Sequence, residues 1–176
     1  MTSFLSEREQ KISQEFEKHG YIIKNISDLK SLQKIRTIFI NSIKKNIKNI
    51  SKFKNEEDIL NFIHKKIKSN KLNNFRMKII NEVNKTKELR KLYYEISRNY
   101  LDALIGNELS MQLRINLSIQ LPNDNSSLLP LHSDVWSGDS PYEIVAWLPL
   151  VNCYKTKAMY ILPPQKYAKL KKIFVS

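Results

Sequence analysis

A single cysteine, Cys153, is the whole sulfhydryl complement of this 176-residue chain, which excludes an internal disulfide and agrees with a reducing compartment. The opening residues, from Met1 to Glu9, lack the apolar core of a signal peptide. No stretch reaches the ~18 uncharged apolar residues of a membrane span. A soluble, unexported, cytoplasmic protein is the expectation, with no membrane partner. Histidine is scarce as well: His19, His64 and His132 are the full set. Any site that needs several imidazoles therefore has few ways to be built.

Positive charge is abundant. The formal net charge is +13, and it is uneven: residues 1–105 hold 23 Lys and Arg against 12 Asp and Glu, whereas residues 106–176 hold 7 against 5. Such an excess raises nucleic acid as a partner. Yet it lies in Lys-, Asn- and Ile-rich helical sequence such as Ser42-Ile43-Lys44-Lys45-Asn46-Ile47-Lys48-Asn49, and no nucleic-acid-binding motif accompanies it. The expectation is no nucleic acid, with a basic helical adaptor as the rival reading.

The periodicity of apolar residues divides the chain near Gly106. Before it, spacings of three and four predict helices. The first covers 4–18 and ends at His19-Gly20, where glycine supplies a left-handed C-terminal residue. A short strand is predicted at Tyr21-Ile22-Ile23. Ser27-Asp28 caps a helix over about 29–48 with Leu32, Ile35, Phe39 and Ile43 on one face, and Asn55 caps another carrying Ile59, Phe62, Ile63 and Ile67. Residues 75–83 also read as helical. Thr86 opens the most regular helix, with Leu89, Leu92, Tyr93, Ile96, Tyr100, Ala103 and Leu104 on one side and Gly106 after its end.

After Gly106 the period becomes two. Leu113, Ile115, Leu117, Ile119 and Leu121 alternate with Gln112, Arg114, Asn116, Ser118 and Gln120, the pattern of a half-buried strand. Residues 121–130 read as a loop. A second strand is predicted at about 143–150, with Glu143, Val145 and Trp147 on one face and Ile144, Ala146, Leu148 and Leu150 on the other, and a third at about 157–162. Pro163-Pro164 breaks the third, and an amphipathic helix is predicted over 166–174. Helices followed by short antiparallel strands predict an α+β class with a jelly-roll-like sheet, in one domain of 1–176: a helical support region, 1–106, and a partial jelly roll, 107–176.

The chemistry-bearing residues lie in the second part. His132 and Asp134 are two positions apart, so on a strand their imidazole and carboxylate share a face and can converge on one cation. A non-haem Fe(II) centre uses one carboxylate and two imidazoles on one face of an octahedron. The bland alternative is a turn histidine beside a loop carboxylate. Asn116 and Gln120 either line a cavity and hydrogen-bond a cosubstrate or face solvent. Trp136, Asp139 and Glu143 follow the pair and either shape substrate entry, as a stacking indole and carboxylates suit a carbohydrate, or form only a turn.

The segments MQLRINLSIQLP and NDNSSLLPLHSDVWSGDSPYEIVAWLPLVNCYKTKAMYILPP, covering 111–164, resemble the 2-oxoglutarate/Fe(II)-dependent oxygenases of bacterial carbohydrate and aminoglycoside gene clusters, relatives of the phytanoyl-CoA dioxygenase group. The resemblance rests on Asn116 to Pro122, on Leu128-Leu129-Pro130 before the ligand pair, on Trp136-Ser137-Gly138-Asp139-Ser140-Pro141, and on Trp147-Leu148-Pro149-Leu150. It implies a double-stranded β-helix whose mouth holds Fe(II) through His132 and Asp134, 2-oxoglutarate as cosubstrate, Trp147 near that cosubstrate, and hydroxylation-type oxidation of a small molecule such as a sugar. In that family a second His and a basic residue for 2-oxoglutarate come from later strands. The sequence given has no positions left for them, and Arg114, which precedes the pair, does not fit that role. A truncated oxygenase is the expectation. A non-catalytic remnant or binding module of the same fold is the alternative.

Overall fold

Ser6 begins the first helix by closing a reciprocal cap: its hydroxyl oxygen accepts from the Glu9 amide at 3.3 Å, while the Glu9 carboxylate accepts from the Ser6 amide at 2.8 Å. The computed structural model describes residues 4–48, 50, 53, 55–125, 128–167 and 169. Helix α1 spans Glu7–His19 and ends at Gly20, whose φ of 75° is left-handed and whose amide returns to the Phe16 carbonyl at 2.7 Å. Helix α2, Leu29–Asn46, is capped by Asp28, which accepts from the Ser31 amide at 2.9 Å. Asn55 caps the short α3, Glu56–Asn61, through the Asp58 amide. A tight turn at Ile63–Lys65 leads to α4, Ser69–Val83, and then α5, Leu89–Ile105.

The core is a contact of three helices. Ile35, Phe39, Ile40 and Ile43 of α2 meet Phe75, Ile79 and Val83 of α4 and Leu89 and Leu92 of α5, and Ile59 and Ile63 close one end. Ile35, Ile40, Ile79 and Leu89 are fully buried. Spacings of four, from Ile35 to Phe39 and from Phe39 to Ile43, and of three, from Ile40 to Ile43, are what a helix needs to present one apolar stripe. Helix α1 packs on α5, with Ile12 its one buried residue. Where α2 meets α4 a polar clamp is built in: Ser42 Oγ and Asn46 Nδ2 both donate to Glu82 Oε2, at 2.7 and 2.8 Å. Among the described residues no helix is long and apolar enough to cross a membrane.

The predicted sheet is not there. Helix makes up 53% of the structure, no strand occurs among the described residues, and the fold is all-helical with an irregular layer after Gly106. The α+β class and the partial double-stranded β-helix are therefore overturned. So is the short strand at Tyr21-Ile22-Ile23, which carries no regular structure. The alternation itself holds from Ile115 on, whereas Leu113, predicted on the same apolar face, is exposed. Ile115 is buried, Leu117 and Ile119 rest on the core, and Asn116, Ser118 and Gln120 face outward. Likewise Glu143, Val145 and Trp147 are exposed while Leu148 and Leu150 pack on the core.

What fails is the ladder, because side chains of the helices take the places that neighbouring strands occupy in a sheet. Asn84, just after α4, donates Nδ2 to the Ile115 carbonyl at 2.9 Å and accepts from the Ile115 amide at 2.7 Å. Arg90 donates to the Met111 carbonyl at 2.9 Å, and Tyr93 Oη to the Ala146 carbonyl at 2.6 Å. Prolines 122, 130, 141, 149 and 163 lack the amide a ladder needs. Left-handed residues Asn123, with φ of 57°, and Lys155, with φ of 50°, turn the chain between the extended runs. The third predicted strand is replaced by a tight turn at Lys155–Lys157 and irregular chain beyond it. Of the predicted terminal helix, residues 166, 167 and 169 are helical, and 168 and 170–174 lie outside the described residues.

Candidate functional site

Pro130, His132 and Asp134 make a small constellation on the irregular layer. Instead of lying on a strand, Asp134 starts a tight helical turn, Asp134–Ser137, closed by Gly138 at a left-handed φ of 98°. The Trp136 amide bonds the Ser133 carbonyl at 2.9 Å, and the Asp139 amide bonds the Asp134 carbonyl at 3.3 Å. The turn brings the Asp134 carboxylate back toward His132. Oδ1 stands 3.6 Å from His132 Nε2.

The other ring nitrogen is held. His132 Nδ1 lies 2.7 Å from the Pro130 carbonyl, which can only accept, so Nδ1 carries the hydrogen of that bond. In a neutral ring Nε2 is then the lone-pair nitrogen, directed at the side where Asp134 sits. This is the tautomer control found in metal sites, where the non-ligating nitrogen is anchored to a carbonyl or carboxylate.

The donor set fits a divalent cation in part. Two donors each about 2.1 Å from one ion are about 3.0 Å apart at a right angle and about 3.4 Å apart at the tetrahedral angle. The observed 3.6 Å needs only a small side-chain rotation. Both side chains are accessible, 41% and 51% exposed. Among the described residues no group of three or more His, Cys, Asp and Glu side chains is close enough to hold a metal. His19 ends α1 beside the Tyr21 ring, and His64 sits in the turn after α3 against Phe62. Neither joins the pair.

The remaining predicted site residues are scattered in role. Asn116 is exposed on the outward side of its segment, and Trp147 is about half exposed. Trp136 is exposed within the Asp134 turn, and Asp139 follows it, tied to Asp134 only through the backbone. No side-chain hydrogen bond, ion pair or ring contact among the described residues links Asn116, Trp136, Trp147 or Asp139 to His132 or Asp134. Two open grooves among the described residues lie elsewhere. One is lined by Arg8, Lys11, Glu15, Lys24 and Tyr100, the other by Lys30, Lys34, Thr37, Thr86 and Glu88.

Sequence reasoning missed the residues that hold this layer to the helices. Asn84, Arg90 and Tyr93 read as ordinary helix-end and helix-face positions, and nothing in their spacing marks them as partners of Ile115, Met111 and Ala146. Burial pushes the Tyr93 phenol up from its ordinary value, so it remains a donor well into alkaline solution.

The structure thus defines an all-helical protein with an appended irregular layer bearing one imidazole–carboxylate pair. No family model, curated protein or solved structure matches the chain.

Proposed function

We propose that His132 and Asp134 are two protein ligands of a ferrous ion, and that the chain takes part in 2-oxoglutarate-dependent C–H oxidation of a small molecule, a carbohydrate or a relative of one. The observation that carries this reading is the pairing of Nε2 and Oδ1 at 3.6 Å with Nδ1 anchored on Pro130. The resemblance of 111–164 to such oxygenases supplies the reaction class. Iron with 2-oxoglutarate and O2 would supply the oxidising chemistry. The chain's own part is to hold the metal through one imidazole and one carboxylate and to fix the ring tautomer. No third protein donor of the kind such a centre uses stands beside the pair among the described residues. Trp136 and Asp139, next to the pair in the chain, are the residues proposed to meet a sugar.

A second reading is favoured by the exposure of both ligands and by the lack of a third donor in the described set. In it, the same pair captures a divalent ion without turnover, as a binding module. One experiment separates the two. Purified full chain is incubated with Fe(II), ascorbate and 2-oxoglutarate, and iron uptake and succinate formation are measured for the wild type and for His132→Ala. Succinate that disappears in the variant supports the oxygenase. Iron uptake lost in the variant, with no succinate from either protein, supports the binding module. Equal iron uptake by both proteins removes the site altogether.

A further inference from the structure

The segment 115–121, Ile-Asn-Leu-Ser-Ile-Gln-Leu, has a period-two burial pattern and lies on the helices without a strand beside it. Its parity is fixed by one contact. The amide and carbonyl of Ile115 both engage the carboxamide of Asn84, so that edge of the segment is closed at Ile115 by a side chain. In extended chain, main-chain groups of successive residues point to opposite edges. Those of Leu117, Ile119 and Leu121 therefore face the Asn84 side, and those of Asn116, Ser118 and Gln120 face the other. No hydrogen bond within the described chain engages the backbone of any residue from Asn116 to Leu121.

We propose that this open edge is an interface between two copies of the chain, which pair antiparallel about a two-fold axis at Ser118. The sequence of the segment is self-complementary in that register. Ser118 faces Ser118, Leu117 faces Ile119, Asn116 faces Gln120, and Ile115 faces Leu121, so apolar residues meet apolar ones and amides meet amides. The residues whose main-chain groups face the free edge, Asn116, Ser118 and Gln120, are those that a ladder in this register pairs with each other. About six main-chain hydrogen bonds result. An isologous contact of this kind buries the same patch on both partners.

The self-complementary register selects the second copy as the occupant, and the absence of charge in the segment permits it. Two molecules of net charge +13 repel over most of their surfaces, yet 115–121 holds no charged residue. Sheet edges that must stay unpaired are commonly blunted by lysine or other charges. This edge has none. Pro122 ends the segment, Asn84 blocks the opposite edge at Ile115, and a two-fold contact uses the same free edge on both partners, so the addition closes at two copies instead of propagating. A lone pair of strands is marginal in water, but here each strand already rests on a helical layer through Ile115, Leu117 and Ile119.

The inference does not depend on the metal reading. It is tested on the full chain by sedimentation equilibrium over about a hundredfold range of concentration. The wild type is expected to dimerise. Ser118→Pro, which removes the central amide, is expected to weaken dimerisation at least about 100-fold, whereas Ser118→Ala leaves it intact. Helical circular dichroism should be the same in all three, since the Ser118 amide has no partner within the chain. Hydrogen exchange on the wild type gives a second readout that needs no variant: the amides of Asn116, Ser118 and Gln120 gain protection with concentration, and those of Leu117 and Ile119 do not. A monomer at every concentration, a Ser118→Pro dimer as tight as the wild type, open-ended oligomers, or protection independent of concentration would each overturn the proposal.

Discussion

The carboxamide of Asn84 meets the backbone of Ile115 as a neighbouring strand would, giving one donor and taking one. Ile115 is 3% exposed, so water cannot replace either bond without opening the layer. Asn84→Ala leaves a buried amide and a buried carbonyl with no partner and is expected to cost about 1–3 kcal/mol. Asn84→Asp is a sharper test, because it keeps the acceptor but turns a carboxylate toward the Ile80 and Ile115 carbonyls, both of which the native amide satisfies. It should be no more stable than the alanine variant. Urea unfolding followed by circular dichroism measures both.

Tyr93 is the second tie. Its hydroxyl donates to the Ala146 carbonyl at 2.6 Å, joining the middle of the 143–150 segment to α5. Tyr93→Phe keeps the ring and removes that bond, at an expected cost of about 0.5–1.5 kcal/mol. Amide exchange should quicken around Ala146 and remain unchanged in α2 if the tie is local. Uniform acceleration across the helices would show instead that Tyr93 supports the whole core.

Glu82 makes stability depend on acid. Hydrogen bonds from Asn46 and then Ser42 hold its carboxyl below the ordinary value. A carboxyl depressed in the folded state binds fewer protons there than in the unfolded chain. Its contribution is therefore fully present above the unfolded value of about 4.3 and is lost as pH falls through the lower folded value. Glu82→Gln should remove that part of the acid dependence. The check is a series of unfolding curves between neutral pH and the acid limb, in which the difference between wild type and variant narrows as the carboxyl is protonated.

His132→Ala and Asp134→Ala each remove one proposed donor. Each is expected to weaken divalent metal uptake by about tenfold or more, with the helical signal unchanged because both side chains are exposed. Isothermal titration with Fe(II) under anaerobic conditions, or with Co(II) as a stand-in, gives the comparison. Substituting His64, which packs beside Phe62, should leave uptake as it is.

The helices were legible because their signals are local. Asp28 and Asn55 cap where their side chains can reach an amide three residues on, and Gly20 ends α1 where a left-handed residue is needed. Of the apolar stripe of α2, Ile35, Phe39 and Ile43 are core, joined by Ile40, while Leu32 is only partly buried. Helix α4 is longer than the apolar run 75–83 suggested, since Ser69 to Asn74 is polar and adds only Leu72 to the buried face. Past Gly106 the alternation gave which side chains turn inward from Ile115 on, but not that Leu113 is exposed, nor what the backbone bonds to. Period two reports extended chain, and extended chain can be satisfied by a sheet, by side chains such as Asn84 and Tyr93, or by a second molecule. Alternation alone does not distinguish these. The His132 and Asp134 side chains do approach each other, though through a turn at Asp134–Ser137 and not through the two-residue repeat of a strand.

Gly106, with φ of 90° and ψ near 179°, separates two layers of very unequal anchorage: among the described residues beyond it, Ile115 alone is buried. Cooperative units that bury little apolar surface open at lower free energy than the rest of a protein. The layer bearing His132 and Asp134 should therefore detach as a unit while the helices stay folded, so that on warming the proposed metal uptake fades well before the helical signal does.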